Sequence, residues 1–447
     1  MAGPEPQAQG GVDHWRELDA GERLTELLNG QAACGFNIVV NLGLDIKLDP
    51  RLLKRAAAAV QDEYPLLRCC ITGSDPRFRF APVSGPIPIE VHGDSTREVI
   101  DRELERPFPL GHGPLCRLAL TDGEHAGTSD LILVAHHAIL DGNSLRTLIH
   151  RLLHIHAALA GDRVVEFRRV SRPPDLAFGP LSRPVWTLRQ RLYAIYRLCR
   201  YLIVVRKGRL IPFDGVETDA AKRRMARYPW TLSEEHSRAL IEATRANGAT
   251  VTGVLCAALL ILGARHTLRG VNKNSVRLNM TCNVSLWPLL PEAVQRERLG
   301  CFVTVAQAGI PVQRDPSFWM LARQCSAVMR RPRETLRDVS MILAGLVKKT
   351  AASGLRKLSA NPSRCGRLSA IHVSNLGIFD PPGPATSAHI RSLHVVAPMQ
   401  VQGAMLWLSV ASVRSCLQGT FVTVSPLISD ETSSAMAREL QSMLTEL

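Results

Sequence analysis

Residues Leu131 to Leu152, LILVAHHAILDGNSLRTLIHRL, place two adjacent histidines ahead of an aspartate and a glycine at fixed distance. Imidazole takes up and returns a proton near neutral pH without large tuning, so His137 is a candidate general base. Neighbouring side chains on an extended chain point to opposite sides, so one of His136 and His137 can face a cavity while the other packs. Asp141, four residues beyond His137, can brace the loop by pairing with a cation or with backbone donors. Gly142 allows a sharp start to the following helix and leaves its N–H accessible. The bland alternative is a pair of satisfied core histidines closing a strand. The whole pattern of His-His, three residues and Asp-Gly is too specific for chance at this composition, and it favours the chemical reading.

The flanking sequence supplies the elements that must hold these groups. Leu131 to Ala135 are all apolar and read as a buried strand, while Leu145, Leu148, Ile149 and Leu152 recur at helical spacing. The histidines therefore stand where a strand hands over to a helix, a place where catalytic groups gather. Upstream, Phe36 to Leu44 reads as a strand, and Asp49 with Pro50 opens a helix that ends near Glu63. LLRCCI, FRFAP, IEVHG and LCRLAL are short strands, with a helix over REVIDRELERPF. From about Gly161 to Tyr228 the chain turns rich in Pro and Arg, as an inter-domain crossing would. Beyond it, Thr231 and Glu234 suggest a capping box and Gly248 a helix stop, followed by a buried helix, VTGVLCAALLILGARH. SVRLNMTCNVSL, SAIHVSNL, SLHVVAP and the pair AMLWLSVASV and GTFVTVSPL read as strands, and a helix closes the chain from about Asp430. This order predicts an α/β (α+β) fold, and no internal repeat points to a solenoid.

Bulk composition narrows the partners. A chain of 447 residues exceeds one ordinary core, so two domains or two fused half-domains are expected. Its 54 Lys plus Arg against 40 Asp plus Glu leave a formal +14, which suits coenzyme A, phosphorylated carriers, anionic membranes or nucleic acid. Nucleic acid is set aside, because aromatics are only 5% and no zinc-finger, RRM-like or helix-turn-helix pattern occurs. Eleven scattered cysteines without a Cys-x-x-Cys pair, and an N-terminus without a secretory pattern, favour a reducing cytoplasm. The longest apolar run, Val254 to Gly263, falls short of the ~20 residues that span a bilayer. One segment, PVWTLRQRLYAIYRLCRYLIVVRKGRL, reads as a basic amphipathic helix. Ile195, Leu198, Leu202 and Val205 lie on one face and Arg189, Arg197, Arg200 and Lys207 on the other, which would suit peripheral membrane contact. His150 and His154, with His156 near, have metal-compatible spacing but no acidic or thiol companion; they read as surface histidines and no metal is expected.

HHAILDG resembles the HHxxxDG signature of the condensation-domain and acyltransferase superfamily built on the chloramphenicol acetyltransferase fold. YPLLRC, ERPFPLGHGPLCRLAL, ATVTGVLCAALLILGARH, HVSNLGIFD and VSPLISDETSSAMARELQSML resemble further family elements in the right order, over nearly all of residues 30–447. The SNLG element looks most like free-standing alcohol acetyltransferases and polyketide-associated O-acyltransferases. The resemblance implies two chloramphenicol acetyltransferase-like half-domains forming a pseudo-dimer around an active-site tunnel. The N-terminal half would span 1–170, a crossover 171–228 and the C-terminal half 229–447. By the same resemblance His137 would be the general base, within a constellation of His136, Asp141 and Gly142, with the Gly142 N–H facing the oxyanion. Ser374, Asn375, Arg277 and Trp287 are the substrate-side candidates, while His372 reads as packing.

The implied activity moves an acyl group from acyl-CoA or an acyl carrier protein to a hydroxyl. It needs no cofactor beyond the thioester co-substrate and no covalent enzyme intermediate, and it suits a monomer. Amide formation on an amine, or a non-catalytic carrier-docking or lipid-binding module of the same fold, are the alternatives. One departure stands out: NVSLWPLLP puts Trp287 where the family usually has an arginine pairing with the motif aspartate. Arg277, earlier on the same strand, is the expected substitute partner.

Overall fold

The computed structural model describes residues 15–29, 37–75, 77–164, 192, 195, 196, 199, 210–212, 214, 215, 222–290, 298–333, 365–380, 389–400 and 402–447. The N-terminal half runs β1 (Arg16–Glu17), α1 (Ala20–Asn29), β2 (Asn37–Leu44), α2 (Pro50–Glu63), β3 (Cys69–Thr72), β4 (Arg79–Pro82) and β5 (Ile89–Val91). It continues through α3 (Thr96–Glu105), β6 (Cys116–Asp122), β7 (Ser129–His136) and α4 (Gly142–Ala160). Local chemistry sets the ends of these helices. The Asp49 carboxylate accepts from the backbone N–H groups of Arg51 and Leu52, with Pro50 in the first turn of α2. Tyr64 precedes Pro65, is held extended and stops that helix. Ser95 and Glu98 close a reciprocal capping box on α3.

The C-terminal half follows with β8 (Arg224–Thr231), α5 (Glu234–Ala246), α6 (Val251–Leu268), β9 (Ser275–Ser285), β10 (Val303–Gln313) and α7 (Phe318–Met329). It closes with β11 (Arg367–Ile378), β12 (Ile390–Val396), β13 (Gly403–Val413), β14 (Cys416–Ser425) and α8 (Asp430–Thr445). α6 is long and apolar enough to cross a membrane by composition, yet most of it is packed inside the C-terminal core with α7 and β11. The expected cap at Thr231 is corrected: Thr231 still pairs with Gln418 in the sheet, and Ser233 caps α5 by accepting from the His236 N–H. β10 and α7 have no counterpart in the sequence reading. Pro311 breaks the strand signal, and it is tolerated because β10 lies at a sheet edge; Pro229 sits likewise in β8 at the opposite edge.

Three sheets organise the molecule. A small one has the order β1-β4-β3, a five-stranded one β12-β2-β7-β6-β5 and a six-stranded one β10-β9-β11-β13-β14-β8. β7 is buried along its whole length between β2 and β6, which is why its middle, Leu131 to Ala135, is continuously apolar rather than alternating. The five-stranded sheet takes β12 from the C-terminal half, antiparallel to β2. Trp407, Val422 and Val424 of the six-stranded sheet belong to the N-terminal hydrophobic core. The opposite face of that sheet, with Met280, Ile371, Val373 and Leu406, packs with α6 in the C-terminal core. The two halves therefore meet sheet against sheet, and the His137 junction lies at one end of that meeting. Of the basic segment from 184 to 210, Leu192, Ile195, Tyr196 and Cys199 are exposed and Leu210 is half-buried; its other residues lie outside the described ones.

Candidate active site

β7 ends at His136, the Ile139 N–H donates back to the His136 carbonyl at 3.1 Å, and Asp141 caps α4. This tight turn divides the two histidines. His136 is fully buried, its Nδ1 accepts from the Ala138 N–H at 3.1 Å, and its Nε2 faces the Glu26 carboxylate at 3.0 Å. Phe108 lies edge-on against its ring. His136, one of the candidate catalytic residues, is thus placed inside the packing of the turn, with Nδ1 bonded to the Ala138 N–H and Nε2 beside Glu26. His137 keeps accessible surface. Its Nδ1 stands 3.7 Å from the Cys301 thiol of the other half. Burial lowers the His137 pKa from the ordinary 6.5, opposed by its own backbone carbonyl, the Asp141 charge and the Leu140 carbonyl. The ring is thus held toward its neutral, proton-accepting form. Cys301 is no competing nucleophile, because burial, with Asp141, Asp19 and Glu22 adding to it, keeps the thiol well above its ordinary pKa.

Asp141 is 1% exposed and reads three N–H groups. Ser144 N–H reaches Oδ1 at 2.9 Å, while Trp287 Nε1 and Phe302 N–H reach Oδ2 at 2.7 and 2.9 Å. Burial raises the carboxyl, and the Ser144, Trp287 and Phe302 donors pull it back. A buried indole is a donor that must find an acceptor, and a buried carboxylate is an acceptor that must find donors; each satisfies the other. Trp287 therefore stands where an arginine was expected and supplies Asp141 with a donor from an uncharged side chain, packed edge-to-face on Phe302 at 4.9 Å. Two expectations are corrected here. Trp287 is buried against Asp141 instead of facing substrate, and Arg277 is exposed, with its Nη1 donating to the Gly309 carbonyl at 2.9 Å. Eight residues of strand, roughly 26 Å, separate Arg277 from Ser285, the residue of β9 that bonds Asn143.

The first turn of α4 is stitched to the other half. Ser144 Oγ donates to the Gly300 carbonyl at 2.8 Å and accepts from the Gly300 N–H at 3.0 Å, and Asn143 Nδ2 donates to Ser285 Oγ at 3.0 Å. Gly142 is needed for close approach rather than for an unusual backbone angle, since a Cβ there would come within 3.3 Å of Leu376 Cδ2. Its N–H belongs to the opening turn of a 19-residue helix, whose first donors have no partner within the helix.

The SNLG residues divide between two faces of β11. Ser374 shares the inter-half face and accepts from Asn283 Nδ2 at 3.3 Å. Asn375 is turned the other way: its Nδ2 donates to Thr252 Oγ1 on α6 at 3.0 Å and its Oδ1 accepts from the Gly377 N–H, which corrects its expected place beside substrate. The histidines of α4 also separate. His150 Nε2 contacts the Phe379 carbonyl at 2.7 Å, His154 is exposed, and His156 is buried rather than on the surface. Sequence reasoning missed Cys301, Asn143, Leu376 and the polar residues Thr281, Asn283 and Ser285. The strict alternation of β9 was the available signal for the last three.

With this geometry in hand, the comparisons become informative. The condensation-domain family matches residues 23–171, and the family of the phthiocerol/phthiodiolone dimycocerosyl transferase C-terminus matches residues 221–412. The two matches do not overlap and together take in about three-quarters of the chain. The chain belongs to the condensation-domain acyltransferase superfamily. Among solved structures, this condensation-type chain is similar to the TRI3 trichothecene 15-O-acetyltransferase from Fusarium sporotrichioides, at 12% identity and a TM-score of 0.69, covering 100% of this chain and 99% of that one. It is also similar to the first condensation domain of the CDA synthetase, at 16% identity and a TM-score of 0.64, covering 97% of each chain. The EpoB cyclization-docking bidomain from Sorangium cellulosum matches at 16% identity and a TM-score of 0.67, covering 97% of this chain and 85% of that one. At such identities the likeness speaks to the fold. No match is found among curated proteins.

Proposed function

We propose that this condensation-type chain is an O-acyltransferase that moves an acyl group from a coenzyme A or carrier-protein thioester to a hydroxyl. His137 removes the hydroxyl proton as that oxygen attacks the thioester carbonyl carbon. The tetrahedral oxyanion lies at the start of α4, where the Gly142 N–H and the positive end of the helix dipole stabilise it. Collapse breaks the carbon–sulfur bond, and the imidazolium returns its proton to the departing thiolate, leaving ester, free thiol and neutral His137. Asp141 keeps the junction in shape without taking the proton.

The observation that carries this reading is the contrast between the two imidazoles: His136 is fully buried beside Glu26 and Ala138, whereas His137 keeps accessible surface at the junction with the other half, where burial lowers its pKa. The test is His137→Ala, assayed by thiol release from acyl-CoA with alcohol acceptors. Loss of a general base should lower kcat by on the order of 100-fold or more with the circular dichroism spectrum unchanged. Undiminished turnover would refute the assignment.

A further inference from the structure

His136 takes no part in the proton transfers above, yet its ring is tied into the turn that carries His137. The Ala138 N–H reaches its Nδ1 at 3.1 Å. A backbone amide only donates, so Nδ1 is the bare nitrogen and the proton of the neutral ring resides on Nε2. That N–H faces Glu26, whose Oε2 lies 3.0 Å away, and among the described residues no other group bonds Nε2. It does not point straight at the carboxylate, so the attraction is that of charge for dipole rather than an ideal hydrogen bond. Both side chains are sealed from water, at 0% and 3% exposure, where such an attraction is strong.

Glu26 is itself held in place. Asp19 caps the start of α1 by accepting from the Gly21 and Glu22 N–H groups, and Arg16 donates twice to Glu22 at 2.7 Å. One turn beyond Glu26, Asn29 Nδ2 lies 3.5 Å from Glu26 Oε2 and donates to the Phe108 carbonyl at 3.2 Å. The Phe108 ring lies edge-on to His136 and is covered by the Arg117 guanidinium at 4.3 Å.

The consequence for His137 runs through one rigid unit. The Ala138 N–H and the His137 carbonyl belong to the same planar peptide group, so whatever holds that N–H also fixes the direction of that carbonyl. The His137 carbonyl is in turn one of the groups that act on the His137 ring. The carboxylate of Glu26 orients the ring of His136, Nδ1 of that ring holds the peptide, and the carbonyl of the peptide braces the base.

We infer that Glu26 is a positioning residue for the acyl transfer, keeping His136 in the Nε2–H tautomer so that the turn aims His137 at the hydroxyl. This rests on the transferase reading above and adds a residue of α1 to the machinery.

The experiment compares the full chain with its Glu26→Leu and Glu26→Gln variants, using acetyl-CoA and decanoyl-CoA with 1-decanol and thiol release as the readout. Leucine leaves the Nε2–H facing an apolar side chain, whereas glutamine, of nearly the same shape, still offers a carbonyl oxygen. Slight misplacement of a catalytic group slows the chemical step, so Glu26→Leu should lower kcat by about tenfold or more, with KM within about twofold. Glu26→Gln should keep about half or more of the parent kcat, because the acceptor remains. A residue that merely stabilises the fold would lower the unfolding temperature of Glu26→Leu and leave kcat of the folded protein unchanged, and that result overturns the inference. A Glu26→Gln protein as slow as Glu26→Leu overturns it too. The tautomer is read in the parent itself, from a long-range proton–nitrogen correlation spectrum with isotope-labelled histidines, His136 being the ring whose signals move in Glu26→Gln. Its Nδ1 should be bare and its Nε2 protonated; a proton on Nδ1 contradicts the inference even where Glu26→Leu does not fold. If neither donor releases thiol in the parent, the transferase reading fails, and the hold of Glu26 on His136 is judged by this spectrum alone.

Discussion

At the scale of single residues, the site works by matching donors to acceptors in places water cannot reach. Asp141 is held by three N–H groups, two of them from the other half of the chain. Replacing Trp287 with Phe keeps the contact with Phe302 and removes one donor from a buried carboxylate, which should cost about 1–3 kcal/mol in urea denaturation. The same change made in an Asp141→Asn background should cost measurably less, because the coupling lies in that pair; equal costs would mean that Trp287 acts through packing alone. The His137 environment predicts a pH dependence with a definite sign. A base must be neutral to act, and burial lowers its pKa from 6.5, so the acid limb of kcat/KM should fall at a pH below 6.5. A limb centred above 6.5 would contradict the buried setting. Most of this site was legible in HHAILDG, including the candidate base and its brace. Local pattern alone left open which histidine stays accessible, and only the resemblance pointed to His137, because the packing of His136 depends on Glu26 and Phe108, residues far away in sequence.

At the scale of elements, the start of α4 is where chemistry and packing share one position. Gly142 lets Leu376 of β11 come against the helix start, and an added Cβ would need Leu376 to yield by a few tenths of an ångström. Gly142→Ala should therefore lower kcat/KM several-fold through small misplacement of the turn, with little loss of thermal stability. Adding Leu376→Ala should restore most of the activity; a double variant as impaired as the single one would place the defect elsewhere. The helix cap at Asp49 could be read from sequence because its partners lie two or three residues away. β10 could not, since Pro311 reads as a breaker until its edge position is known.

At the scale of the whole molecule, the halves are bound by exchange as well as by contact. β12 leaves the C-terminal half to complete the five-stranded sheet against β2, with Leu393 opposite Leu42 and Val395 opposite Val40. A fragment of residues 1–209 would expose that edge of β2, an open strand edge with apolar side chains. Produced alone it should aggregate or lack a cooperative unfolding transition, and produced together with 210–447 it should be recovered as a soluble complex by size-exclusion chromatography. A fragment 1–209 that unfolds cooperatively on its own would show that β12 is dispensable to the N-terminal core.

The sequence by itself determined the strand-to-helix junction, the spacing of His137, Asp141 and Gly142, and the two-faced character of β9, because each follows from backbone geometry within a few residues. Only the tertiary structure decided that Trp287 rather than Arg277 braces Asp141, and that Asn375 turns from the inter-half face while Ser374 stays on it. Those outcomes depend on contacts such as Trp287 to Asp141 and Phe302 to Asp141, across separations of 146 and 161 residues. Side-chain partners at that distance are selected by how whole sheets pack, and no local pattern carries that information.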